Sequence, residues 1–257
     1  MRENRLKQLW KQGKTVVNAW LTIPSSWSAE VMAHAGFDSL TIDMQHGLSD
    51  YQTALAMLQA ISTTDAVPLA RVPWNDPAIL MRLLDAGVYG VICPMVNSRA
   101  EAQAFVGACR FPPAGYRSHG PIRAITYAGE DYVSRANETI VTLAMIETAQ
   151  SLKNLDDILS TPGLDGLYIG PADLSMGLGL ADLANFQNPE LLRALDTILN
   201  AAARHNVVPG IHANTPENAI MLSERGFRLV TPANDTVLLR AAAKTAVAQT
   251  RKGLNQI

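Results

Sequence analysis

Short apolar runs rich in Val, Ile and Leu recur along the chain about every 20 to 30 residues, the spacing expected of repeated βα units. Most are followed by a stretch with helical periodicity. The runs are continuously apolar rather than alternating, as in strands that are covered on both faces. Eight strands are predicted in this way, at residues 16–23, 38–44, 67–72, 90–96, 139–147, 164–170, 207–213 and 227–234.

Glycines mark the ends of several predicted helices. The sequences HAGF at 34–37, DAGV at 85–88 and ERGF at 224–227 each place glycine where a helix ends and a strand follows. Eight parallel strands with short returns favour a closed (β/α)8 TIM barrel over an open doubly wound sheet, and no GxGxxG follows the first strand. We expect one barrel domain over residues 1–257, in which 110–138 is loop-like with a helical end.

Composition narrows the classes of function. The chain has 257 residues, of which 48% are hydrophobic and 17% charged, as in an ordinary folded protein. A formal net charge of −2 provides no basic surface for nucleic acid or for an anionic membrane. The N-terminal stretch is charged, and no run reaches the roughly 18 apolar residues of a membrane span. We therefore expect a cytoplasmic protein that acts on small molecules.

Polar side chains lie where the predicted strands end, and in a barrel these ends form the active face. Taken singly, Asp173 or Asp235 is explained as the cap of the next helix. Burying two carboxylates and an arginine in the core would cost folding free energy, because unpaired buried charge is unfavourable. The polar residues at strand ends are Asp43, Gln45, His46, Arg71, Glu147, the segment GPADLS at 170–175, His212, Asn214, Asn234 and Asp235.

A divalent cation between Glu147 and Asp173 would offset that cost. Two oxygen ligands leave an octahedral ion about four positions for water and substrate oxygens, as in an open catalytic Mg²⁺ or Mn²⁺ site. If the segment from Gly170 to Asp173 leads into a helix, its free backbone N–H groups form a site for a carboxylate or phosphate. The pattern therefore implies an anionic substrate.

Five motifs occur in an order that identifies a family. Together they resemble the metal-dependent (class II) pyruvate aldolases of the HpcH/HpaI aldolase family, which include the 4-hydroxy-2-oxoheptanedioate and 2-dehydro-3-deoxyglucarate aldolases. The similarity runs from about residue 15 to 245. The motifs are FDSLTIDMQHG, PLARVPWNDPAILMRLLDAGVYGVICPMV, FPPAGYRSHGPIRA, MIET and DGLYIGPADLSMGLG.

The resemblance implies an aldehyde-lyase that acts on 4-hydroxy-2-oxo acids. Such an enzyme reversibly joins pyruvate or hydroxypyruvate, as an enolate bound to the metal, to an aldehyde. Its cofactor would be Mg²⁺, Mn²⁺ or Co²⁺, and its quaternary structure a homohexamer with C-terminal helices exchanged between subunits. The stretch TVLLRAAAKTAVAQT at 236–250 suits such an exchange, and its apolar stripe equally suits packing on its own barrel.

The resemblance also assigns the metal and the substrate to particular residues. Glu147 and Asp173 would be the metal ligands, and the substrate would bind the ion through its carboxylate and keto oxygens. Arg71 would contact the keto oxygen and stabilise the enolate. The substrate carboxylate would lie against Gly170, Pro171, Ala172 and Asp173.

Proton transfer is assigned by the same resemblance. His46, supported by Asp43, would move protons during carbon–carbon cleavage, and a neutral imidazole with a carboxylate partner can do so near neutral pH. Asp85 would come close to a neighbouring subunit's site, or it is an ordinary polar residue before a glycine stop. His212 is either a substrate contact or a packed residue at a strand terminus.

Two positions depart from the family pattern. Relatives often carry glutamine two residues before the metal-binding glutamate, where this chain has Met145. They often carry glutamate before the histidine, where this chain has Gln45. We expect a site that is less polar and less negative than in those relatives.

Three other readings remain open at this stage. A Schiff-base aldolase needs a lysine on an inward-facing strand position, and every lysine falls outside the predicted strands. A binding barrel could keep the metal and the 2-oxo-acid site without turnover. A decarboxylase of oxaloacetate-like acids would pass through the same enolate. The lysines are Lys7, Lys11, Lys14, Lys153, Lys244 and Lys252.

Overall fold

Eight parallel strands close into a barrel in which each strand pairs with its neighbours in chain order and the last pairs with the first. The computed structural model describes residues 1–254. Every predicted run contains one strand, which confirms the predicted (β/α)8 barrel. The strands are β1 Val16–Leu21, β2 Ser39–Asp43, β3 Val67–Arg71, β4 Gly90–Cys93, β5 Val141–Met145, β6 Gly166–Ile169, β7 Val208–His212 and β8 Leu229–Thr231.

Helices surround the barrel and follow its strands. In the described part of the chain, none is both long enough and apolar enough to cross a membrane. The helices of residues 1–254 are α1 Arg5–Lys11, α2 Ser26–Ala33, α3 Tyr51–Ile61, α4 Pro77–Asp85, α5 Arg99–Cys109, α6 Ile122–Ala128, α7 Tyr132–Thr139, α8 Ala149–Lys153, α9 Leu155–Leu159, α10 Pro171–Gly177, α11 Pro189–His205, α12 Pro216–Arg225 and α13 Asp235–Gly253.

Side-chain caps determine where most barrel helices begin. A side-chain oxygen just before the helix accepts a hydrogen bond from a first-turn backbone N–H group, which would otherwise lack a partner. The capping residues are Ser25, Asp50, Asp76, Ser98, Thr148, Asn188, Thr215 and Asn234.

The segment 110–138 contains more helix than its sequence predicts. The predicted helical end is α7, whereas α6 lies in a stretch that we expected to be a loop. The start of α6 follows Pro121 without a side-chain cap, so the usual signal for a helix start is absent. Gly129, with a φ of 116°, ends it.

The N-terminal residues close one end of the barrel. Asn4 Nδ2 donates to the carbonyls of Tyr89 (3.0 Å) and Thr139 (2.9 Å), one and two residues before β4 and β5. Lys7 Nζ lies 2.7 Å from Asp165 Oδ1, just before β6. Because this end is covered, the carboxyl ends of the strands are the end at which a ligand can enter.

A polar network fills one side of the barrel interior. Asn18 Oδ1 accepts hydrogen bonds from Ser39 Oγ (2.8 Å) and Thr41 Oγ1 (3.1 Å), and Asn18 Nδ2 donates to Thr231 Oγ1 (2.9 Å). The Tyr168 hydroxyl lies 2.7 Å from the same Thr231 oxygen. Every member is buried, so these bonds satisfy groups that would be costly if unpaired.

The opposite side of the interior is apolar and depends on glycine. A Cβ at Gly166 would lie 2.4 Å from the Val208 carbonyl oxygen and 2.7 Å from Leu143 Cδ2. A Cβ at Gly90 would lie 2.4 Å from Leu69 Cδ2. Glycine therefore makes room for the leucines that fill this half of the barrel.

The helix α13 leaves the barrel instead of covering it. Only Asp235 is buried among its residues, and Leu239 and Val247 are 63% and 51% exposed. A cavity of about 360 Å³ lies beside β1, β8 and α12, and its lining includes Val17, Ile220 and Val230. The alternative expectation, that α13 packs along its own barrel, is therefore wrong.

We predict that Gly166→Ala lowers the free energy of unfolding by about 1–3 kcal/mol, because the new methyl group meets a backbone carbonyl that cannot rotate away. Urea denaturation would measure this change. Gly253→Ala is the matched control, since nothing lies within 4 Å of its Cβ position. Equal stability of the two variants would contradict the steric role of Gly166.

Candidate active site

A cavity of about 290 Å³ opens at the carboxyl ends of the strands. It contains most of the residues singled out in the sequence, together with three that were not: Trp20, Thr22 and Tyr168. The full lining is Trp20, Thr22, Asp43, His46, Arg71, Met145, Tyr168, Gly170, Pro171, Ala172, Asp173, His212, Asn214 and Asn234.

A side-chain turn explains why β2 ends at Asp43. Asp43 Oδ1 accepts hydrogen bonds from the backbone N–H groups of Gln45 (3.0 Å) and His46 (3.2 Å). A Cβ at Gly47 would lie 2.2 Å from the Asp43 carbonyl oxygen, so only glycine permits this turn. The turn places His46 at the cavity with its side chain exposed.

Asp43 and Arg71 form a buried bidentate ion pair. Arg71 Nε donates to Asp43 Oδ1 (2.9 Å) and Arg71 Nη2 donates to Asp43 Oδ2 (2.6 Å). Burial acts to raise the pKa of Asp43, but the hydrogen bond and the charge of Arg71 outweigh it and hold that pKa below its usual value. Asp43 is therefore a carboxylate that fixes Arg71.

The guanidinium of Arg71 is also held by an aromatic ring. Its central carbon lies 5.0 Å from the centroid of the Trp20 ring, in a cation–π contact. Only two of its N–H groups are used by Asp43, so the others remain available to an oxygen in the cavity. Arg71 is thus a fixed positive group with free donors.

We expected Asp43 to support His46, and it does so through the His46 backbone rather than through the imidazole ring. Asp43 contacts the His46 backbone, and its side-chain partner is Arg71. Within residues 1–254, the His46 ring makes no hydrogen bond of its own. Asp43 therefore positions His46 through the turn.

Glu147 and Asp173 bring two carboxylates together across Gly170. A Cβ at Gly170 would lie 2.7 Å from Glu147 Oε2 and 3.6 Å from Asp173 Oδ2. The other oxygen, Glu147 Oε1, accepts a hydrogen bond of 2.8 Å from the backbone N–H of Met95, whose φ is 55°. One glutamate oxygen is therefore fixed by the backbone, and the other lies beside Gly170, as does the Asp173 carboxylate.

The electrostatics of this pair suit a cation. Burial, followed by the negative charge of Asp173, raises the pKa of Glu147 to about 7, while the Met95 N–H and the charge of Arg71 act against this rise. A divalent ion would remove the repulsion between the carboxylates. No group of three or more His, Cys, Asp or Glu side chains in residues 1–254 is arranged to hold a metal, so water and substrate oxygens would complete the shell of an ion bound here.

The start of α10 leaves backbone donors free beside these carboxylates. Gly170 precedes the helix, Pro171 occupies its first position, and no side chain caps it. Ala172 and Asp173 line the cavity, and their N–H groups have no capping side chain. The predicted segment from Gly170 to Asp173 is thus part of the cavity wall.

Asp85 lies elsewhere in the molecule. It is the last residue of α4, away from the cavity of its own chain, and its Oδ1 is 2.7 Å from Arg117 Nη2. Burial raises the pKa of Asp85 despite the opposing Arg117 and His119. A role for Asp85 in its own chain's cavity is not supported by this position.

The residues that the sequence did not single out lie within apolar runs. Trp20 stacks on Tyr168, with ring centroids 5.3 Å apart, and both are buried. Thr22 is held by Asp235, whose Oδ1 accepts from the Thr22 backbone N–H (2.9 Å) and hydroxyl (2.8 Å). For Trp20 and Thr22, the alternation of positions 18, 20 and 22 on the inward face of β1 was the signal that could have identified them. Asp235 is thus an anchor for the loop after β1, and Asn234 is the cap.

A family model described as HpcH/HpaI aldolase/citrate lyase matches residues 17–242. The chain belongs to the HpcH/HpaI aldolase/citrate lyase family. Membership confirms the resemblance carried by the five motifs and makes the chain a lyase. It supports the predicted class II aldolase function, and it favours neither the inert binding barrel nor the decarboxylase.

Individual relatives cover nearly the whole chain. The hydroxypyruvate/pyruvate aldolase of Rhizorhabdus wittichii is 40% identical over 248 residues, covering 96% of this chain and 99% of that protein. The 4-hydroxy-2-oxo-heptane-1,7-dioate aldolase of Escherichia coli is 39% identical over 250 residues, covering 96% and 95%. A crystal structure of an HpcH/HpaI aldolase/citrate lyase family protein from Burkholderia cenocepacia J2315 superposes with a TM-score of 0.89 at 32% identity, covering 96% and 99%.

We predict that acid destabilises this family member in part through His212. Burial, and then the charge of Arg71, lower the pKa of His212 from 6.5 to about 4, with Asp43 opposing. The unfolded chain therefore binds a proton at His212 that the folded chain does not, so stability falls as the pH drops from 6.5 to about 4. His212→Phe removes this contribution, whose slope is at most about 1.4 kcal/mol per pH unit.

Urea unfolding of the parent and of His212→Phe across that pH range measures the difference, with the exposed His34→Phe as control. The stability of the parent relative to His212→Phe is expected to decrease towards acid pH. A difference that is the same at every pH would contradict a neutral His212 in the folded protein.

Proposed function

We propose that the chain is a divalent-metal-dependent aldolase that joins pyruvate or hydroxypyruvate to an aldehyde and cleaves the resulting 4-hydroxy-2-oxo acids. The observation that carries this proposal is the meeting, in one cavity, of a fixed guanidinium with free donors and a pair of converging carboxylates. The first suits an oxygen that gains negative charge, and the second suits a cation.

Glu147 and Asp173 would hold the cation. Their oxygens, with Glu147 oriented by the Met95 N–H, form the donor set of a hard ion such as Mg²⁺, Mn²⁺ or Co²⁺. When bound, the ion supplies a Lewis acid that stabilises negative charge on the keto oxygen of the donor.

The free N–H groups of Ala172 and Asp173 would bind the donor's carboxylate. Backbone donors at a helix start attract anions, and Gly170 allows a ligand to approach closely. With the carboxylate held there, the keto group would be oriented towards Arg71 across the cavity. These contacts fix the plane of the donor before an aldehyde enters.

Arg71 would stabilise the enolate. Cleavage of the C3–C4 bond leaves an electron pair on the donor fragment, and the charge is spread onto the keto oxygen. A guanidinium already fixed by Asp43 and Trp20 requires little reorganisation to bind that charge. Asp43 thus acts on the reaction through the position of Arg71.

His46 would move the proton. In the cleavage direction a base takes the proton of the 4-hydroxyl group while the C3–C4 bond breaks, and the enolate then takes a proton at C3. The exposed ring of His46 lies at the cavity on a turn fixed by Asp43, where it can exchange protons with solvent between cycles.

The lysines offer no alternative nucleophile in a strand. Lys7 and Lys11 lie in α1, Lys14 follows that helix, Lys153 is in α8, and the other two lysines are in α13. A Schiff-base mechanism needs an amine inside the cavity. The positions of these lysines therefore support the metal-dependent class.

We further propose a homohexamer whose subunits exchange α13. The exposed apolar residues of α13 and the apolar cavity beside β1, β8 and α12 are complementary in character, and each lacks cover within the described chain. In such an assembly Asp85, at the end of α4, would lie near the active site of a neighbouring subunit. Its distance from its own cavity is consistent with that role.

We predict that Glu147→Gln loses metal affinity and aldolase activity together, each by more than about a hundredfold, because it removes a charged ligand. Arg71→Ala is expected to keep the metal and lose about 10² to 10³ in kcat, as for other lost oxyanion donors. Titration calorimetry with Mn²⁺ and an assay of pyruvate release from a 4-hydroxy-2-oxo acid measure the two effects. Glu190→Gln, on the exposed first turn of α11, is the control. Full activity after exhaustive EDTA treatment would contradict the proposal.

We predict that Ile220→Glu in the apolar cavity and Leu239→Glu on α13 each weaken the assembly at least about tenfold, because a carboxylate would be buried without a partner. Size-exclusion chromatography with light scattering would show smaller particles on dilution. Thr197→Glu, exposed on α11, is the control. Unchanged mass for both variants would contradict the exchange.

A further inference from the structure

The imidazole of His212 is a polar group in the cavity for which the reaction above has no use. It ends β7, and its ring meets the Trp20 ring edge-on with centroids 5.4 Å apart. Within residues 1–254 its nitrogens make no hydrogen bond, and neither is sealed from the cavity. The ring is therefore fixed by packing, with its polar atoms available to a ligand.

The chemistry of the ring selects the kind of ligand atom. Burial, followed by the charge of Arg71, lowers the pKa of His212 to about 4, so the ring is neutral, with one nitrogen a donor and the other an acceptor. A hydroxyl group, which both donates and accepts, matches either nitrogen. A carboxylate gains no charge partner from a neutral ring, and a methyl group would leave the nitrogens unpaired.

The depth of His212 selects which part of the substrate it meets. It packs on Trp20, which itself packs on Tyr168, and both of these aromatic residues are buried. Asn214, two residues further along the chain, is exposed, and so is His46. In the proposed function the donor's oxygens belong at the carboxylate pair and at Arg71, so the donor would bind deepest and the aldehyde would enter over the exposed rim. His212 therefore faces the donor.

The charged groups around His212 narrow the position further. The His212 ring and the Arg71 guanidinium contact the same Trp20 ring, at 5.4 Å and 5.0 Å from its centroid. The backbone of His212 lies beside β6, where Ile211 pairs with Ile169 just before the segment from Gly170 to Asp173, and its ring extends towards the Trp20 ring that supports Arg71. With the donor's carboxylate at the amides of Ala172 and Asp173 and its keto oxygen at Arg71, the group that would still lack a partner is the one on the reacting C3, which bears a hydroxyl group in hydroxypyruvate and only hydrogen in pyruvate.

We propose that His212 hydrogen-bonds the 3-hydroxyl group of the donor and makes this aldolase prefer 3-hydroxy-2-oxo acids to pyruvate. This inference rests on the proposed aldolase function. A site built to pair a substrate hydroxyl discriminates against the analogue that lacks it, because its own polar group is then left without a partner.

The test compares the two donors in the same enzyme with one aldehyde. The ratio of kcat/KM for hydroxypyruvate to kcat/KM for pyruvate is expected to exceed one in the parent and to fall at least about fivefold in His212→Leu. His212→Gln, which keeps a donor and an acceptor, is expected to retain an intermediate ratio. His34→Leu, the same change on the exposed end of α2, is the control and should leave the ratio as in the parent.

A parent enzyme that prefers pyruvate would overturn the proposal, whether or not the variants fold. A ratio unchanged in His212→Leu would overturn it as well. An enzyme that turns over neither donor would overturn the aldolase function instead. In that case titration calorimetry of hydroxypyruvate and pyruvate, with the parent and His212→Leu, decides the role of His212: a preference for hydroxypyruvate that the variant loses supports it, and equal binding refutes it.

Discussion

A single buried ion pair between neighbouring strands, Asp43 of β2 and Arg71 of β3, governs the geometry of the site. The same carboxylate closes the turn that carries His46, and the same guanidinium lies on Trp20. Desolvating two charges is costly, and breaking such a pair typically costs about 3–5 kcal/mol because one charge remains unpaired. The pair thus sets the orientation of the groups proposed to stabilise charge and to move protons.

The two halves of the barrel interior support different chemistry. In the polar half, the network of Asn18 and Thr231 extends towards the cavity: Thr231 bonds the Tyr168 hydroxyl, and Tyr168 stacks on Trp20. The apolar half, where glycine makes room for leucine, continues upwards into the strands that carry the carboxylate pair. The polar network therefore supports Trp20 and Tyr168, and the tight packing around Gly166 supports the strands that lead to the carboxylates.

The sequence predicted the strands because their continuous apolar runs are a strong signal, but the same continuity hid which residues face inward. Trp20 and Tyr168 consequently resembled ordinary core residues. The partner of Asp43 was not predictable either, since Arg71 is 28 residues away and meets it only through the register of β2 and β3. The family could be recognised from motifs, whereas the roles of His46, Asp85 and His212 stay predictions because they depend on a substrate or a neighbouring subunit.

The position of Asp235 has a consequence for how activity varies with protein concentration. Asp235 begins α13, holds the loop that carries Thr22, and follows directly on Asn234 in the cavity wall. A displacement of α13 would therefore move two residues of the cavity wall, Thr22 and Asn234, because Asp235 is linked to both. If α13 packs on another subunit, an isolated subunit lacks that support for its cavity wall. The specific activity would then increase with protein concentration as subunits associate.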